Sequence, residues 1–209
     1  MAASVDRLAE VVTLPARGAR RLRDWSNNDV DDWGRDPQFT ARVTTVSRLR
    51  WDVAVGGSQR LPVRAGALVV VNARRLALAP VFTALALGDA VHRPVRFVGR
   101  PDIAPLGPLL QRMGGLVAQP AELQGALAAG ELVVVGAVAG SVDRSLIGAA
   151  VAARVRIFPA VALSSPLRRA ARVEVGNPVR PAHIRRGPLA EVEMAQLVER
   201  RIHELRSGR

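Results

Sequence analysis

The chain of 209 residues contains no cysteine, no tyrosine and no lysine. The absence of cysteine excludes disulfides, thiolate nucleophiles and cysteine-ligated metals, and it leaves the redox compartment unread. Histidine is scarce as well: the three are His92, His183 and His203, scattered along the chain, so no zinc centre is expected. Four Phe and three Trp make up the aromatics. That is a poor supply of stacking platforms for single-stranded nucleic acid. Long apolar runs are missing too. No stretch approaches the roughly 18 residues of a membrane span. Met1–Asp24 lacks an uninterrupted apolar core and carries Asp6, Arg7 and Glu10, so no secretory signal is expected. The reading is a cytoplasmic chain that is soluble or peripheral on the inner membrane face.

With lysine absent, all 30 basic residues are arginine, against 18 acidic ones, and the net charge is +12. One account of the whole excess is an Ala/Arg/Gly/Val coding bias. A functional account needs an anionic partner, either phospholipid headgroups or nucleic acid. The arginines are dispersed and no nucleic-acid recognition motif accompanies them. A basic nucleic-acid-binding domain is therefore kept only as a second alternative. Hydrophobic residues make up 49% of the chain and charged residues 23%, which is ordinary for a globular domain.

The division expected is residues 1–47, an N-terminal helix and an acidic polar loop, followed by an α/β domain over 48–209. Val5, Leu8, Ala9 and Val12 fall at helical spacing, and Arg17, Arg20, Arg21 and Arg23 follow. This reads as an amphipathic helix with a basic tail. Ser26–Gln38 carries Asp29, Asp31, Asp32 and Asp36 without the glycine-centred spacing of a calcium loop. It reads as a solvated loop pinned by Trp25 and Trp33. From Arg48, alternation of Leu49, Trp51, Val53 and Val55 with Arg50 and Asp52 predicts a strand ending at Gly56-Gly57.

Further strands are predicted over 67–71, 95–98, 116–118, 132–135, 155–162 and 172–175. Helices are predicted over 79–88, 105–113, 121–129, 144–153 and 188–206. Strands alternating with helices predict an α/β layer architecture with a central, largely parallel or mixed sheet flanked by helices. Leu189, Val192, Leu197, Val198, Ile202 and Leu205 give the closing helix a core-facing stripe.

The stretch Leu68-Val69-Val70-Val71-Asn72-Ala73-Arg74-Arg75-Leu76-Ala77-Leu78 runs from a buried strand through a loop into a helix. It resembles the first signature of the glycerophospholipid acyltransferase family, whose best-known members acylate lysophosphatidate. There an Asn-His pair is followed by four residues and then Asp. Here Asn72 is kept, Ala73 stands for the His and Leu78 for the Asp. The second helix and its glycine exit, Pro105 to Gly114 and Gly115, resemble the family's as well. The Arg that holds the acceptor phosphate in the family falls on Gln119 or Pro120. The Ala129-Gly130-Glu131 approach to the third motif is similar, but its Glu falls on Val138, with Gly140 beyond. The fourth motif, a hydrophobic strand with a central proline, matches at Val155–Ala162 with Pro159.

The resemblance thus implies an acyltransferase-like fold with the polar motif positions Asn72, Ala73, Leu78 and Val138 stripped of catalytic groups. In the family the His is the general base and the Asp fixes its tautomer, roles Ala and Leu cannot take. His92, His183 and His203 are too distant in sequence to be read as replacements. Leu76 and Leu78 are expected to pack on Val138 and Ala139 and close the old cleft, burying Leu78. Arg74 and Arg75, with Arg96 and Arg100 at the next strand, are the candidates to line its mouth and hold a phosphate bidentately.

Val133–Gly140 only superficially resembles a dinucleotide turn, because Val138 occupies the central glycine. Ser141 and Asp143 lack a nucleophile-elbow context. No cofactor and no metal is expected. The function implied is a catalytically degenerate lipid acyltransferase-like protein. It would bind an anionic phospholipid or acyl chain, or act as a partner of an active relative or of an envelope-lipid assembly. The alternative is an active glycerophospholipid acyltransferase, using acyl-CoA or an acyl carrier, with a displaced base.

The basic N-terminal segment generates a first prediction. Each arginine near an anionic surface contributes about 1 kcal/mol, screened within roughly 8–10 Å at physiological salt. Deleting residues 1–24 is expected to weaken co-flotation with anionic vesicles, and raising salt is expected to do the same to the full chain. Flotation that survives the deletion places the contact elsewhere.

Overall fold

The run Ala67-Leu68-Val69-Val70-Val71 is apolar at every position, a pattern used by strands covered on both faces. A computed structural model describes residues 30–50, 52–73, 78–99, 104–164, 170–179 and 188–208, and in it all five of those side chains are fully buried. They lie in β2 (Ala67–Ala73). The elements before it are α1 (Pro37–Arg50), β1 (Asp52–Gly56) and a 3-10 turn at Ser58–Arg60. After β2 come α2 (Ala79–Val91), β3 (Val95–Val98), α3 (Leu106–Arg112), β4 (Gly115–Leu116) and α4 (Pro120–Ala128). The chain continues with β5 (Leu132–Val138), α5 (Arg144–Ala152), β6 (Arg156–Ser164), β7 (Ala170–Val175) and α6 (Pro188–Ser207).

The strands form one sheet in the order β1-β7-β6-β2-β5-β3-β4. Neighbours are parallel except β6 and β7. The α/β class with a largely parallel, mixed sheet is as the sequence implies. Strand alternation divides the core into two layers. Leu68, Val70, Val133, Val135, Ile157 and Val161 face α4, α5 and α6. Ala67, Val69, Val71, Val134, Phe158 and Ala160 face α2, with Phe39 and Val43 of α1 beside it.

The connections set the position of the site. From β2 the chain passes through α2 on one face to β3. From the adjacent β5 it passes through α5 on the opposite face to β6. Two neighbouring parallel strands whose chains leave in opposite directions open a crevice at their carboxyl ends.

Two expectations fail before β2. The strand predicted from Arg48 begins only at Asp52, because α1 runs to Arg50 and crosses the boundary expected at 47/48. Alternation of four apolar residues was produced by a helix end abutting a strand start. The overlooked signal was Asp36-Pro37. Asp36 caps α1, its Oδ1 accepting from the Phe39 N–H at 2.9 Å, and proline suits the first helical position.

The acidic segment is also not a solvated loop throughout. Asp31 and Asp36 anchor it to the body, whereas Asp32 is exposed. Asp31 Oδ1 accepts from the N–H groups of Trp33 and Arg35, and its Oδ2 lies 2.6 Å from Arg96 Nη2. Asp36 is 4% exposed, and its Oδ2 lies 2.5 Å from Arg112 Nη2. Trp33 packs on the α4 side of the core, as expected. Residues 1–29, with the predicted helix, Trp25 and Asp29, lie outside the described residues.

Burial alone would raise the Asp36 carboxyl. The N–H of Phe39 and the Arg112 guanidinium outweigh it, so the group titrates below the usual carboxylate value. Its contribution is therefore present above the unfolded value of about 3.9 and is lost as pH falls through the lower folded value. Asp36→Ala removes both a cap and one half of a mostly buried ion pair. It is expected to cost about 2–4 kcal/mol in urea denaturation at pH 7. The gap to wild type should narrow as acid protonates Asp36. A constant gap down to strong acid would mean the loss came from packing.

Candidate functional site

An open cleft of about 1710 Å³ lies at the carboxyl ends of β2 and β5. Asn72, Ala73, Ala137, Ala139 and Gly140 line it from the strand ends, Leu78 and Phe82 from α2, and Glu199, Ile202, His203 and Arg206 from α6. It extends along α2 over Val53, Val55 and Val173 on the β1–β7 side. The topology therefore brings the first-motif and third-motif positions into one place.

Asn72 has a structural task. The backbone ladder between β2 and β6 ends at Val71↔Ala160. Beyond it the Asn72 side chain continues the pairing: Oδ1 accepts from the Ala162 N–H at 2.6 Å and Nδ2 donates to the Ala162 carbonyl at 3.2 Å. With both polar atoms engaged, the amide bridges two strands. Among the described residues it contacts no histidine and no carboxylate. Ala73 packs closely: a Cβ added at Gly136 would sit 3.0 Å from the Ala73 Cβ and 3.1 Å from Pro80 Cγ.

Val138, Ala139, Gly140 and Ser141 form a tight reversal. Ala139 and Gly140 have φ of 54° and 86°, and the Ser141 N–H donates to the Val138 carbonyl at 3.1 Å. Two successive positive φ angles with that bond are the type I′ pattern. Ala139 occupies the left-handed region without glycine's freedom, a backbone cost that recurs at functional loops. Glu199 of α6 braces the exit. Its Oε1 accepts from the Val142 N–H at 3.0 Å and from Ser141 Oγ at 3.2 Å. Asp143 caps α5 through the Ser145 N–H, so Ser141 and Asp143 both serve the turn.

The expected closure does not occur. Leu78 is 53% exposed and lines the open cleft, and Val138 is exposed as well. The reason is local. The buried stripe of α2 starts at Val81 and continues through Ala84 and Leu85, one turn beyond Leu78. At the strand ends the cleft is lined by the short residues Ala73, Ala139 and Gly140, and a Cβ added at Gly140 would have no neighbour within 4 Å. Leu76 lies outside the described residues.

Arg96 also departs from expectation. It is 1% exposed and lies at the amino end of β3, away from the cleft. Its Nη2 meets Asp31, its Nε lies 3.3 Å from Glu131 Oε2, and its guanidinium stands 6.0 Å from the Trp33 ring centre. A group so committed cannot line the mouth. Arg35 beside it is held below its ordinary value by burial, with Asp31 opposing the shift. Arg74, Arg75 and Arg100 lie outside the described residues.

Gly114 and Gly115 serve packing. Gly114 (φ 93°) makes room for Arg35 and Arg96, and Gly115 for Phe97 and the Leu110 carbonyl. Pro159 sits in β6 just before pairing with β7 begins at Ala160↔Val175. Its carbonyl accepts from Gly176 on that side, so the N–H it lacks is not needed in the ladder. Gln119 and Pro120 start α4, exposed and outside the cleft lining.

Sequence reading missed the contribution of α6. Glu199, His203 and Arg206 lie more than 120 positions beyond Asn72, and His203 reaches the cleft despite that separation. Their spacing of four and three residues on one helix face was the available signal. No helix among the described residues is long and apolar enough to cross a membrane.

The seven-stranded, mostly parallel sheet flanked by helices matches an acyltransferase-like α/β fold. No family profile and no curated protein matches the chain. Among solved structures it is similar to the 1-acyl-sn-glycerophosphate (LPA) acyltransferase PlsC from Thermotoga maritima. The TM-score is 0.54 and the identity 18%, over 81% of this chain and 78% of that one.

Two substitutions test the geometry. Asn72→Ala leaves the Ala162 N–H and carbonyl without their partners and is expected to cost about 1–3 kcal/mol. Leu78→Asp, at an exposed position, is expected to stay within about 0.5 kcal/mol of wild type. Thermal or urea melts that reverse this ranking would refute the assignment of Asn72 as a strand bridge and Leu78 as a cleft-facing side chain.

Proposed function

We propose that this chain is a catalytically degenerate lipid acyltransferase-like protein. It binds an acyl chain or anionic phospholipid in the cleft, at the cytoplasmic membrane surface, as a binding or regulatory partner. The observation that carries the reading is the combination at the cleft of an engaged Asn72, a methyl at Ala73 and an exposed apolar Leu78. None of these accepts a proton, and loss of a general base alone removes roughly 10²–10⁴ in rate. The opening is retained, and Phe82, Val53, Val55 and Val173 supply apolar lining, which suits a hydrocarbon chain.

Supplied with acyl-CoA or acyl-carrier protein and lysophosphatidate, the purified protein is expected to show no turnover above a no-enzyme control. It is expected to bind a long-chain fatty acid, measured by calorimetry. Ala73→His with Leu78→Asp is not expected to create activity, because Gln119 and Pro120 supply no cation at the positions where the resemblance places the family's phosphate-holding Arg. One observation favours a second reading, an active acyltransferase with a displaced base: His203 faces the same cleft. Turnover that His203→Ala abolishes would establish that reading and end the first.

A further inference from the structure

The cleft's charged side chains are unequally committed. Among the described residues its basic side chains are Arg48, Arg172, His203 and Arg206. Arg48 Nη2 lies 2.6 Å from Asp89 Oδ2, and Arg172 Nη2 lies 3.0 Å from Glu174 Oε2. The side chains of His203 and Arg206 have no ion pair or hydrogen bond among the described residues. They are three positions apart on α6, hence on one face of the helix. Ile202, 5% exposed, fixes that part of the helix against the core. Glu199 lies one turn earlier, and its Oε1 is bound to Ser141 and Val142. An arginine in a last helical turn complements the helix dipole whichever way it points, so the dipole does not require Arg206 to face the cleft.

We propose that Arg206 and His203 form the head-group site of the cleft and hold the phosphomonoester of a single-chain amphiphile. This rests on the binding reading above and adds the residues and the ligand charge. A guanidinium offers a phosphate two parallel donors and an imidazole offers one more. The donors come from α6, at a position unrelated to Gln119 and Pro120. His203 in this role binds and transfers no proton.

Calorimetry of the full chain with decyl phosphate and with decanol, both below their aggregation concentrations, tests the proposal. Wild type is expected to bind decyl phosphate about tenfold more tightly than decanol. In Arg206→Ala/His203→Ala the two affinities should come within about twofold, with decanol binding unchanged as a check on folding. Arg200→Ala removes the same charge as Arg206→Ala from an exposed position of α6 outside the cleft lining and should keep the preference. Equal binding of both probes by wild type overturns the head-group site and leaves the binding cleft standing. So does a preference that survives the double variant or is lost equally in Arg200→Ala. Binding of neither probe overturns the proposed function, and this inference with it.

Discussion

β2 and β5 lie side by side and parallel, and the chain leaves them on opposite faces of the sheet. No single helix can cover both exits, so the carboxyl ends of these two strands stay open unless long side chains fill the gap. Here the strand-end residues lining the gap include Ala73, Ala139 and Gly140, which are too small to do so. The crevice is therefore a product of connectivity. It persists whether or not chemistry takes place in it, which is why an apolar Leu78 projects into open space without collapsing the site.

Asn72 is held by a structural task at the end of β2. Its amide substitutes for backbone pairing where β6 turns away to meet β7. A carboxamide supplies one donor and one acceptor in a single plane, which the Ala162 peptide requires. Ala73 and Leu78 carry no comparable bridge between strands, so the sheet does not depend on a polar group at either position.

The amino-terminal part of the described chain is fastened by charge more than by apolar burial. Arg96, among the most deeply buried side chains, is paired with Asp31 and Glu131. Asp36 both starts α1 and holds Arg112. Breaking one half of such a pair is costly because it leaves the other charge uncompensated in a poorly hydrated site. A segment rich in aspartate consequently behaves as a clamp on α3 and β3.

The sequence by itself determined the α/β class, most of the strands and helices after Ala67, and the placement of Asn72 and Ala73 at the exit of β2. Continuous apolar runs, proline and glycine punctuation, and helical periodicity are local signals, and each element that depends on them was legible. Only the tertiary structure decided which charges are buried, since Arg96 and Arg206 look alike in sequence and differ only in what folds around them. It alone decided that Leu78 stays exposed, because that depends on the size of side chains on a neighbouring strand. It alone brought α6 to the cleft. That contact joins residues more than 120 positions apart, and no local pattern records a pairing made by the packing of one face of a sheet.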